Sequence, residues 1–423
     1  MLQITRIRAE KEAIIKAMSK RNIDASEWIN RAVELDDLRK KTQTENDNLL
    51  AEMNKLSKEI GQLYKSGEPK KAEILKQKTT QIKEQIKILS EKLDAVKKDL
   101  QEVLYQIPNV PNDLVPFGKD EADNEVVFEY GDVLNMEEKA LPHWELAKKY
   151  DIIDFDLGNK ITGAGFPVYK GKGAKFQRAL INYFLDKNEA AGYREMQVPH
   201  LINEASGYGT GQLPDKEGQM YIIERDNLYL IPTAEVPVTN LYRDVMLTYQ
   251  DFPVKNTAYT PCFRREAGSY GAHVRGLNRL HQFDKVEIVR LEHPDRSYEA
   301  LDEMVEHVKQ ILIELGLTFR IVRLCGGDLG FTSALTYDFE VWSAAQQRWL
   351  EVSSVSNFED FQANRLKLRF KDKDGKKRLA HTLNGSSLAL PRVVAALLEN
   401  NQTEKGIKVP EVLHKFLGFE YID

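Results

Sequence analysis

The sequence predicts an α+β protein in which a long N-terminal pair of antiparallel α-helices precedes a domain built on a mostly antiparallel β-sheet with flanking helices. Three observations carry this prediction. Apolar residues follow a heptad repeat across much of residues 28–105, a glycine and a proline interrupt that repeat at its middle, and beyond residue 170 helical stretches alternate with short β-rich runs. The 423 residues are enough for two or three domains.

The first predicted element is a helical hairpin, or arm, over about residues 28–105. Its second half has an apolar seam that advances in alternating steps of four and three: Leu75, Thr79, Ile82, Ile86, Leu89, Leu93, Val96, Leu100 and Val103. Its first half has a similar seam with one irregular step after Thr42: Leu35, Leu38, Thr42, Asn46, Leu49, Met53, Leu56, Ile60 and Leu63. Between them, Gly67 favours a helix end and Pro69 a helix start. The two halves predict an antiparallel coiled coil roughly 55 Å long.

Lysines are concentrated near the tip of this arm. Between Lys55 and Lys87 there are nine lysines and four acidic residues, whereas the whole chain has 60 Lys and Arg against 65 Asp and Glu. A bare coiled coil usually serves dimerisation or spacing, but a distal surplus of positive charge also suits a phosphate backbone. The candidate contacts are Lys55, Lys58, Lys65, Lys70, Lys71, Lys76 and Lys78.

Composition and charge exclude several classes of protein. With 42% apolar and 30% charged residues the chain can build a packed core, and a net charge of −5 excludes a uniformly basic nucleic-acid coat. Cys262 and Cys325 cannot form a disulfide framework, which favours a reducing compartment. Charges interrupt the apolar N-terminus, and the apolar run 393–398 is far shorter than the roughly 20 residues that span a bilayer. We therefore expect a soluble cytoplasmic protein without a membrane segment.

Prolines mark the predicted domain boundaries. Pro108, Pro111 and Pro116 disfavour regular structure. The sequence therefore predicts an N-terminal domain, a joining segment and a larger domain: residues 1–106, 107–169 and 170–423. In the larger domain, helical periodicity and strand composition alternate, with helices at 175–191 and 297–315 and strands at 228–231, 286–289 and 349–352.

The most informative polar residues lie around a predicted β-hairpin. Arg264 and Glu266 are two apart and on a strand would point to the same face, which suits a ligand with both a phosphate and an amino-bearing ring. Phe283 and Glu287 are four apart, which places an aromatic platform beside a second carboxylate. For each residue taken alone, an ordinary surface ion-pair ladder is the alternative.

Two further groups of residues suit a phosphate ligand accompanied by a metal ion. Glu351 and Ser354 are three apart, and a carboxylate with a hydroxyl can hold a hydrated Mg²⁺ beside phosphate oxygens. Arg392 lies in the first turn of an apolar helix, where a guanidinium can bind a terminal phosphate bidentately. Each pattern alone is weak, because a charged residue at a helix start is most often solvated.

Together and in order, these segments resemble the seryl-tRNA synthetases, a family of class II aminoacyl-tRNA synthetases, over essentially the whole chain. Residues 192–199 resemble motif 1, which builds a dimer interface through its proline, here Pro199. Residues 263–287 resemble motif 2, and residues 384–392 resemble motif 3 with Ser387 where glycine is usual. Thr233-Ala234-Glu235 is similar to the family's serine-binding tripeptide. The resemblance implies a tRNA-binding N-terminal domain and a class II catalytic domain.

The resemblance implies a role for each matching residue. Arg264 and Arg392 become catalytic cations, on the α- and γ-phosphates of ATP. The implied ATP-binding residues are Arg264, Arg265, Glu266, Phe283, Glu351, Val352, Ser353, Ser354 and Arg392, of which Glu351 and Ser354 also hold Mg²⁺. The implied serine-binding residues are Thr233, Ala234, Glu235, Glu287, Asn384 and Ser386. The implied partners are ATP, L-serine, tRNA(Ser) and tRNA(Sec), the tRNAs bound by the arm lysines, and a second copy of the chain in a homodimer.

The sequence also separates this hypothesis from its alternatives. Only residues 393–423 follow Arg392, too few for the anticodon-binding domain that follows motif 3 in histidyl, prolyl and threonyl relatives. The eight histidines and two cysteines lack metal-ligand spacing, so no zinc is expected, and His281 and His381 are interpreted as structural. A non-enzymatic coiled-coil protein would have a broken ATP site, and a ligase that charges a carrier protein would lack the arm.

Overall fold

The computed structural model describes residues 1–133, 140–266 and 274–423. Residues 267–273, part of the segment that resembles motif 2, therefore lie outside the described residues. The described chain forms two compact units. One consists of Met1–Ser19 with Ile23–Pro108, and the other of Lys20–Asn22 with Asn109–Asp423.

Helices occur along the whole chain, and strands occur only in the second unit of the described residues. The helices are α1 (Ile4–Ala9), α2 (Lys11–Met18), α3 (Ser26–Lys65), α4 (Pro69–Gln106), α5 (His143–Lys149), α6 (Phe155–Ile161), α7 (Gly171–Ala190), α8 (Glu204–Thr210), α9 (Glu235–Asn240), α10 (Ser297–Glu314), α11 (Phe361–Leu366), α12 (Leu390–Asn400) and α13 (His414–Leu417). The strands are β1 (Glu125–Tyr130), β2 (Ile153–Asp154), β3 (Val168–Tyr169), β4 (Arg194–Glu195), β5 (Leu201–Asn203), β6 (Ile222–Ile223), β7 (Leu228–Leu230), β8 (Met246–Thr248), β9 (Val254–Phe263), β10 (Gln282–Glu292), β11 (Phe319–Arg323), β12 (Leu335–Ser343), β13 (Arg348–Asn357), β14 (Arg369–Lys371), β15 (Lys377–Leu379), β16 (His381–Ala389), β17 (Gln402–Thr403), β18 (Gly406–Lys408) and β19 (Tyr421–Ile422). None of the described helices combines the length and apolar character needed to cross a lipid bilayer.

The predicted helical arm is confirmed by α3 and α4, which pack along one another. Every residue of the predicted α4 seam is buried or partly buried. The α3 seam is also buried or partly buried, including Thr42 and Asn46 at the predicted irregular step, but Leu38 is 36% exposed. Helices of this length gain most of their stability from such packing rather than from intrinsic propensity. The turn is as predicted, because Gly67 has a φ of +78° and Pro69 is the first residue of α4.

Close to Leu38 in sequence, α3 carries a buried carboxylate, Asp36. Asp36 is only 1% exposed, and its carboxylate lies 2.7 Å from Arg39, 2.9 Å from Lys40 and 3.3 Å from Arg8. Burial alone would raise the pKa of Asp36, but the hydrogen bonds from Lys40 and Arg39 lower it below its usual value. A buried carboxylate is costly unless it is paired, and these three cations allow a charged side chain to lie inside the base of the arm.

The second unit is built on an eight-stranded sheet in the order β1-β11-β12-β13-β16-β10-β9-β4. Its neighbours are antiparallel except β4 and β9. Helices α7, α10 and α12 pack against it, and α10 buries Leu301, Met304 and Val308 at helical spacing. The segment predicted to join the domains, residues 107–169, contributes the edge strand β1. The central strands β9, β10, β13 and β16 carry most of the predicted site residues.

Candidate active site

The hairpin of β9 and β10 brings together two of the predicted ligand residues, Arg264 and Phe283. The guanidinium carbon of Arg264 lies 5.3 Å from the centre of the Phe283 ring. The backbone N–H of Arg264 donates to the carbonyl of His281 at 2.9 Å, which closes the hairpin. The prediction that Arg264 and Glu266 share one face of a strand is wrong, because β9 ends at Phe263 and Glu266 has a φ of +49°.

Glu266 and Arg265 lie just beyond the end of β9. The Glu266 carboxylate lies 3.4 Å from the guanidinium of Arg279, and the Arg265 N–H donates to the carbonyl of Gln219 at 2.9 Å. The side chains of Arg264 and Arg265 are exposed, whereas Glu266 and Phe283 are partly buried. The result is an aromatic ring flanked by an exposed cation, an arrangement suited to a purine nucleotide.

Arg392 provides the second cation, in the first turn of α12. Its Nε donates to the carbonyl of Asn278 at 3.0 Å, and its Nη1 donates to the carbonyl of Glu351 at 2.9 Å. The Glu351 carboxylate is also near, at 3.5 Å. Arg392 therefore connects the end of the motif 2 segment to β13, and the structure brings Arg392 and Glu351, which were predicted separately, into contact.

The environment of Glu351 and Ser354 has the chemistry of a magnesium site. Across β12 and β13, Asp338 is the register partner of Ser354. Its Oδ1 is buried and, among the described residues, has no hydrogen-bond partner. Burial, and then the charge of Glu351, raise the pKa of Asp338 well above its ordinary value. Carboxylate and hydroxyl oxygens are the ligands Mg²⁺ prefers, so these residues fit the ion. Asp338 was not predicted from the sequence, where it is marked only by its position in a β-rich run.

Glu287 on β10 is the centre of a second, buried group of polar residues. Its Oε2 accepts a hydrogen bond from Thr233 at 3.3 Å and lies 2.5 Å from Lys285 Nζ, while its Oε1 accepts from Asn384 at 3.1 Å. Glu287 is 1% exposed. Burial raises the pKa of Glu287, and Lys285 and Thr233 counteract that increase. Residues far apart in sequence thus converge on one carboxylate.

Glu235, the first residue of α9, lies close to this group. Burial, and then the charge of Glu287, raise the pKa of Glu235 to about 7. Its backbone N–H donates to the Thr233 hydroxyl at 3.2 Å. Two carboxylates that share a buried polar pocket favour a cationic ligand, because a positive charge offsets both their desolvation and their mutual repulsion.

Three more of the predicted ligand residues are buried. Ala234, Val352 and Ser353 are only 0%, 1% and 2% exposed. The Ser353 hydroxyl donates to the carbonyl of Ser386 at 2.6 Å. Ser386 is the register partner of Glu287 between β16 and β10, which places it beside the acidic pocket.

Ser387, where glycine is usual in the family it resembles, has a buried partner. Its hydroxyl donates to Asn188 Oδ1 at 2.8 Å, and Asn188 Nδ2 donates to Thr257 Oγ1 at 2.9 Å. Thr257 in turn donates to the carbonyl of Glu287 at 2.9 Å. His307 also contacts Asn188, at 2.7 Å, and burial lowers the pKa of His307 to about 4. The extra hydroxyl is therefore accommodated by a hydrogen-bond network that supports the backbone of Glu287.

A buried pair that sequence reasoning missed anchors the end of the motif 2 segment. His143 and Glu399 are both fully buried, and His143 Nδ1 lies 2.7 Å from the Glu399 carboxylate. The backbone N–H of Leu277 donates to His143 Nε2 at 2.8 Å. The next residue, Asn278, accepts the hydrogen bond from Arg392. Residues 256 positions apart make the pair, so no local spacing could have indicated it.

The remaining predicted contact residues are on the surface. Pro199, between β4 and β5, is exposed, as are all seven arm lysines. Lys71, Lys76 and Lys78 have acidic neighbours. In the described parts of the chain the other four form no ion pair: Lys55, Lys58, Lys65 and Lys70.

Comparison with known proteins agrees with this geometry. Residues 1–111 match the seryl-tRNA synthetase N-terminal domain, and residues 221–401 match the class II tRNA synthetase core domain (G, H, P, S and T). The serine--tRNA ligase of Salinibacter ruber is 48% identical over 424 residues, covering 100% of this chain and 99% of that protein. The serine--tRNA ligase of Hydrogenobaculum sp. is 44% identical over 100% of both chains.

A solved structure gives the same result. The seryl-tRNA synthetase of Pyrococcus horikoshii, complexed with ATP, superposes with a TM-score of 0.90 at 32% identity, covering 99% of each chain. The prolyl-tRNA synthetase of Giardia lamblia, with a TM-score of 0.56 at 15% identity, shares the fold over 64% of this chain. Sequence identity of this level over the full length, together with the paired carboxylates and the two cations, shows that the chain belongs to the seryl-tRNA synthetase family of class II aminoacyl-tRNA synthetases.

Proposed function

We propose that this enzyme activates L-serine with ATP to form seryl-adenylate and pyrophosphate, and then transfers the serine to the 3′ end of tRNA(Ser) and of tRNA(Sec). The observation that carries the proposal is the buried carboxylate pair Glu235 and Glu287 beside Arg264: burial raises the pKa of both carboxylates, and the charge of Arg264 partly offsets that increase. A pocket for a small ammonium-bearing molecule thus adjoins a cation suited to a phosphate.

In the first step the serine carboxylate attacks the α-phosphorus of ATP, so the protein supplies neither a nucleophile nor a base. Its contribution is to position the reactants and to stabilise the charge that develops at phosphorus. Arg264 binds the α-phosphate and Arg392 the γ-phosphate. Phe283 stacks on the adenine, and Glu266 accepts a hydrogen bond from its amino group.

The serine pocket and the metal site complete this arrangement. Glu235 and Glu287 hold the ammonium group and hydroxyl of serine, with Thr233, Asn384 and Ser386 beside them. Glu351, Ser354 and Asp338 would hold Mg²⁺ with ATP, which neutralises charge on the phosphate oxygens when bound. We further propose that the arm binds tRNA, that Pro199 lies in a homodimer interface, and that the enzyme acts in the cytoplasm.

Pyrophosphate exchange tests the first step. With each of the twenty amino acids in turn, we expect serine to support rapid exchange of labelled pyrophosphate into ATP. Aminoacylation of tRNA(Ser) and tRNA(Sec) transcripts then tests the second step, with a non-cognate tRNA such as tRNA(Ala) as the control. Exchange that is equally fast with another amino acid would contradict the proposal.

Replacement of Arg264 by alanine should lower the exchange rate by about 10²–10³-fold, because it removes a cation at the reacting phosphorus. Arg178→Ala is the matched control, since Arg178 is exposed on α7 and should leave the rate unchanged. The kcat and KM for ATP and serine are measured for both variants. A rate within tenfold of wild type for Arg264→Ala would remove Arg264 from catalysis.

Gly276→Ala should disturb the anchor on His143. Gly276 has a φ of +67°, and a Cβ there would lie 2.2 Å from His143 Nε2. Gly316→Ala is the matched control, with a φ of +70° and no atom within 4 Å of its Cβ position. Both should lose about 1 kcal/mol of stability from the left-handed backbone, but Gly276→Ala alone should raise the KM for ATP. Thermal unfolding and exchange kinetics check this, and equal KM values would contradict it.

A further inference from the structure

A buried glutamine outside the three motifs contacts the serine pocket. Gln362 on α11 is 1% exposed, and its Nε2 donates to the Glu235 carboxylate at 2.6 Å. The same nitrogen donates to the carbonyl of Thr210 at 3.1 Å. Its Oε1 accepts a hydrogen bond from the hydroxyl of Thr382 at 2.7 Å. Because the carbonyl of Thr210 can only accept a hydrogen bond, the amide nitrogen must face Thr210 and Glu235.

The other charged groups that influence Glu235 lie on different elements. Glu287 and Lys285 are on β10, and Arg264 follows β9. Burial and Glu287 raise the pKa of Glu235, whereas Gln362, Lys285 and Arg264 lower it. Among these, Gln362 is the group that donates a hydrogen bond directly to Glu235. A hydrogen bond to the ionised form of a carboxyl group favours that form.

We infer that Gln362 is a positioning residue for serine: it fixes the Glu235 carboxylate in one orientation and keeps it ionised to receive the ammonium group of the amino acid. The inference rests on the proposed serine pocket. Gln362 itself need not touch serine, because it acts through Glu235. Thr382 has a supporting role, since its hydrogen bond to Oε1 helps to hold the Gln362 amide in place.

The sign of the pH effect follows from the direction of that hydrogen bond. Glu235 must lose its proton to bind an ammonium group, so kcat/KM for serine should rise as the pH increases through the pKa of Glu235, about 7 in the wild type. Without the donor, the pKa of Glu235 rises. The acidic limb of the pH profile should therefore move to higher pH, and activity lost at pH 7 should return in more alkaline buffer.

The test is the pH profile of kcat/KM for serine in pyrophosphate exchange, for the full-length enzyme and its Gln362→Leu variant. We expect the acidic limb to shift upward by about one pH unit, since a hydrogen bond to a charged group is of that strength, and kcat/KM at pH 7 to fall about fivefold. The KM for ATP should change little. Thr382→Val, which leaves Gln362 in place but frees its amide, should give a smaller shift in the same direction.

Gln177→Leu is the matched control. Gln177 is also buried and donates to a carboxylate, that of Asp284 at 2.9 Å. Its loss should leave the acidic limb for serine where it is. The inference would be overturned if the acidic limb of the kcat/KM profile stayed at the wild-type pH in folded Gln362→Leu, or in Thr382→Val if Gln362→Leu does not fold. A decrease in kcat/KM that is equal at every pH would also overturn it. Absence of serine-dependent exchange in the wild type would instead refute the proposed function.

Discussion

Alanine should support pyrophosphate exchange about 10⁴-fold less efficiently than serine, measured as kcat/KM. Alanine has the same ammonium and carboxylate groups but lacks the hydroxyl. The proposed pocket is buried and polar, with Glu287 at 1%, Thr233 at 6% and Glu235 at 7% exposure. With alanine bound, at least one of these groups would be removed from water without regaining a hydrogen bond, and such a loss is expensive in a buried site.

Measurement needs serine-free alanine and a saturating ATP concentration, with both amino acids compared over their own concentration ranges. Threonine is the complementary control, because it keeps the hydroxyl and adds a methyl group, so its rejection depends on the shape of the pocket. A kcat/KM for alanine within about 100-fold of that for serine would match discrimination by size alone. It would refute the assignment of these residues to the serine hydroxyl.

The sequence predicted the arm for a physical reason. A heptad repeat is a local pattern, and it specified both helices of the arm and their turn at Gly67 and Pro69. The exception was Leu38, which is 36% exposed although it belongs to the predicted seam. The resemblance identified the residues now found around Glu287, since motif residues keep their order along the chain.

What the sequence did not predict depends on contacts between distant segments. Gln362 meets Glu235 across 127 positions, and His143 meets Glu399 across 256. Asp338 lies opposite Ser354 only through the register of β12 with β13. The sequence also placed Arg264 and Glu266 on one strand, whereas β9 ends at Phe263 and Glu266 has a left-handed backbone. None of these arrangements has a local spacing rule.

Replacement of residues 45–90 by a short Gly-Ser turn should abolish aminoacylation of tRNA while leaving serine activation within a few-fold of wild type. The deletion removes the distal parts of α3 and α4 with all seven candidate lysines. It keeps the buried base of the arm, including Asp36 and its cations. At low tRNA concentration we expect aminoacylation to fall by about 10³-fold, because electrostatic contact with phosphates supplies much of the binding free energy.

A charge variant separates lysine contacts from the bulk of the arm. Lys55, Lys58, Lys65 and Lys70, which have no ion pair in the described residues, are replaced together by glutamine. The matched control replaces four lysines nearer the base of the arm: Lys41, Lys92, Lys97 and Lys98. Each lost phosphate contact should reduce the slope of log K against log salt by about 0.7–0.9. The tip variant should therefore lose up to about three units of slope, and the base variant much less.

These two experiments together test whether the arm binds tRNA while the catalytic unit activates serine independently of it. If the tip lysines bind the RNA backbone, the tip variant has weaker tRNA binding, a flatter salt dependence and normal pyrophosphate exchange. Serine isoacceptor tRNAs share no single anticodon, so a contact outside the anticodon is the physically sensible place for recognition. If the arm deletion abolished exchange, or if tip and base variants lost tRNA affinity equally, recognition by the lysine-rich tip would be wrong, and the arm would serve folding or general charge attraction instead.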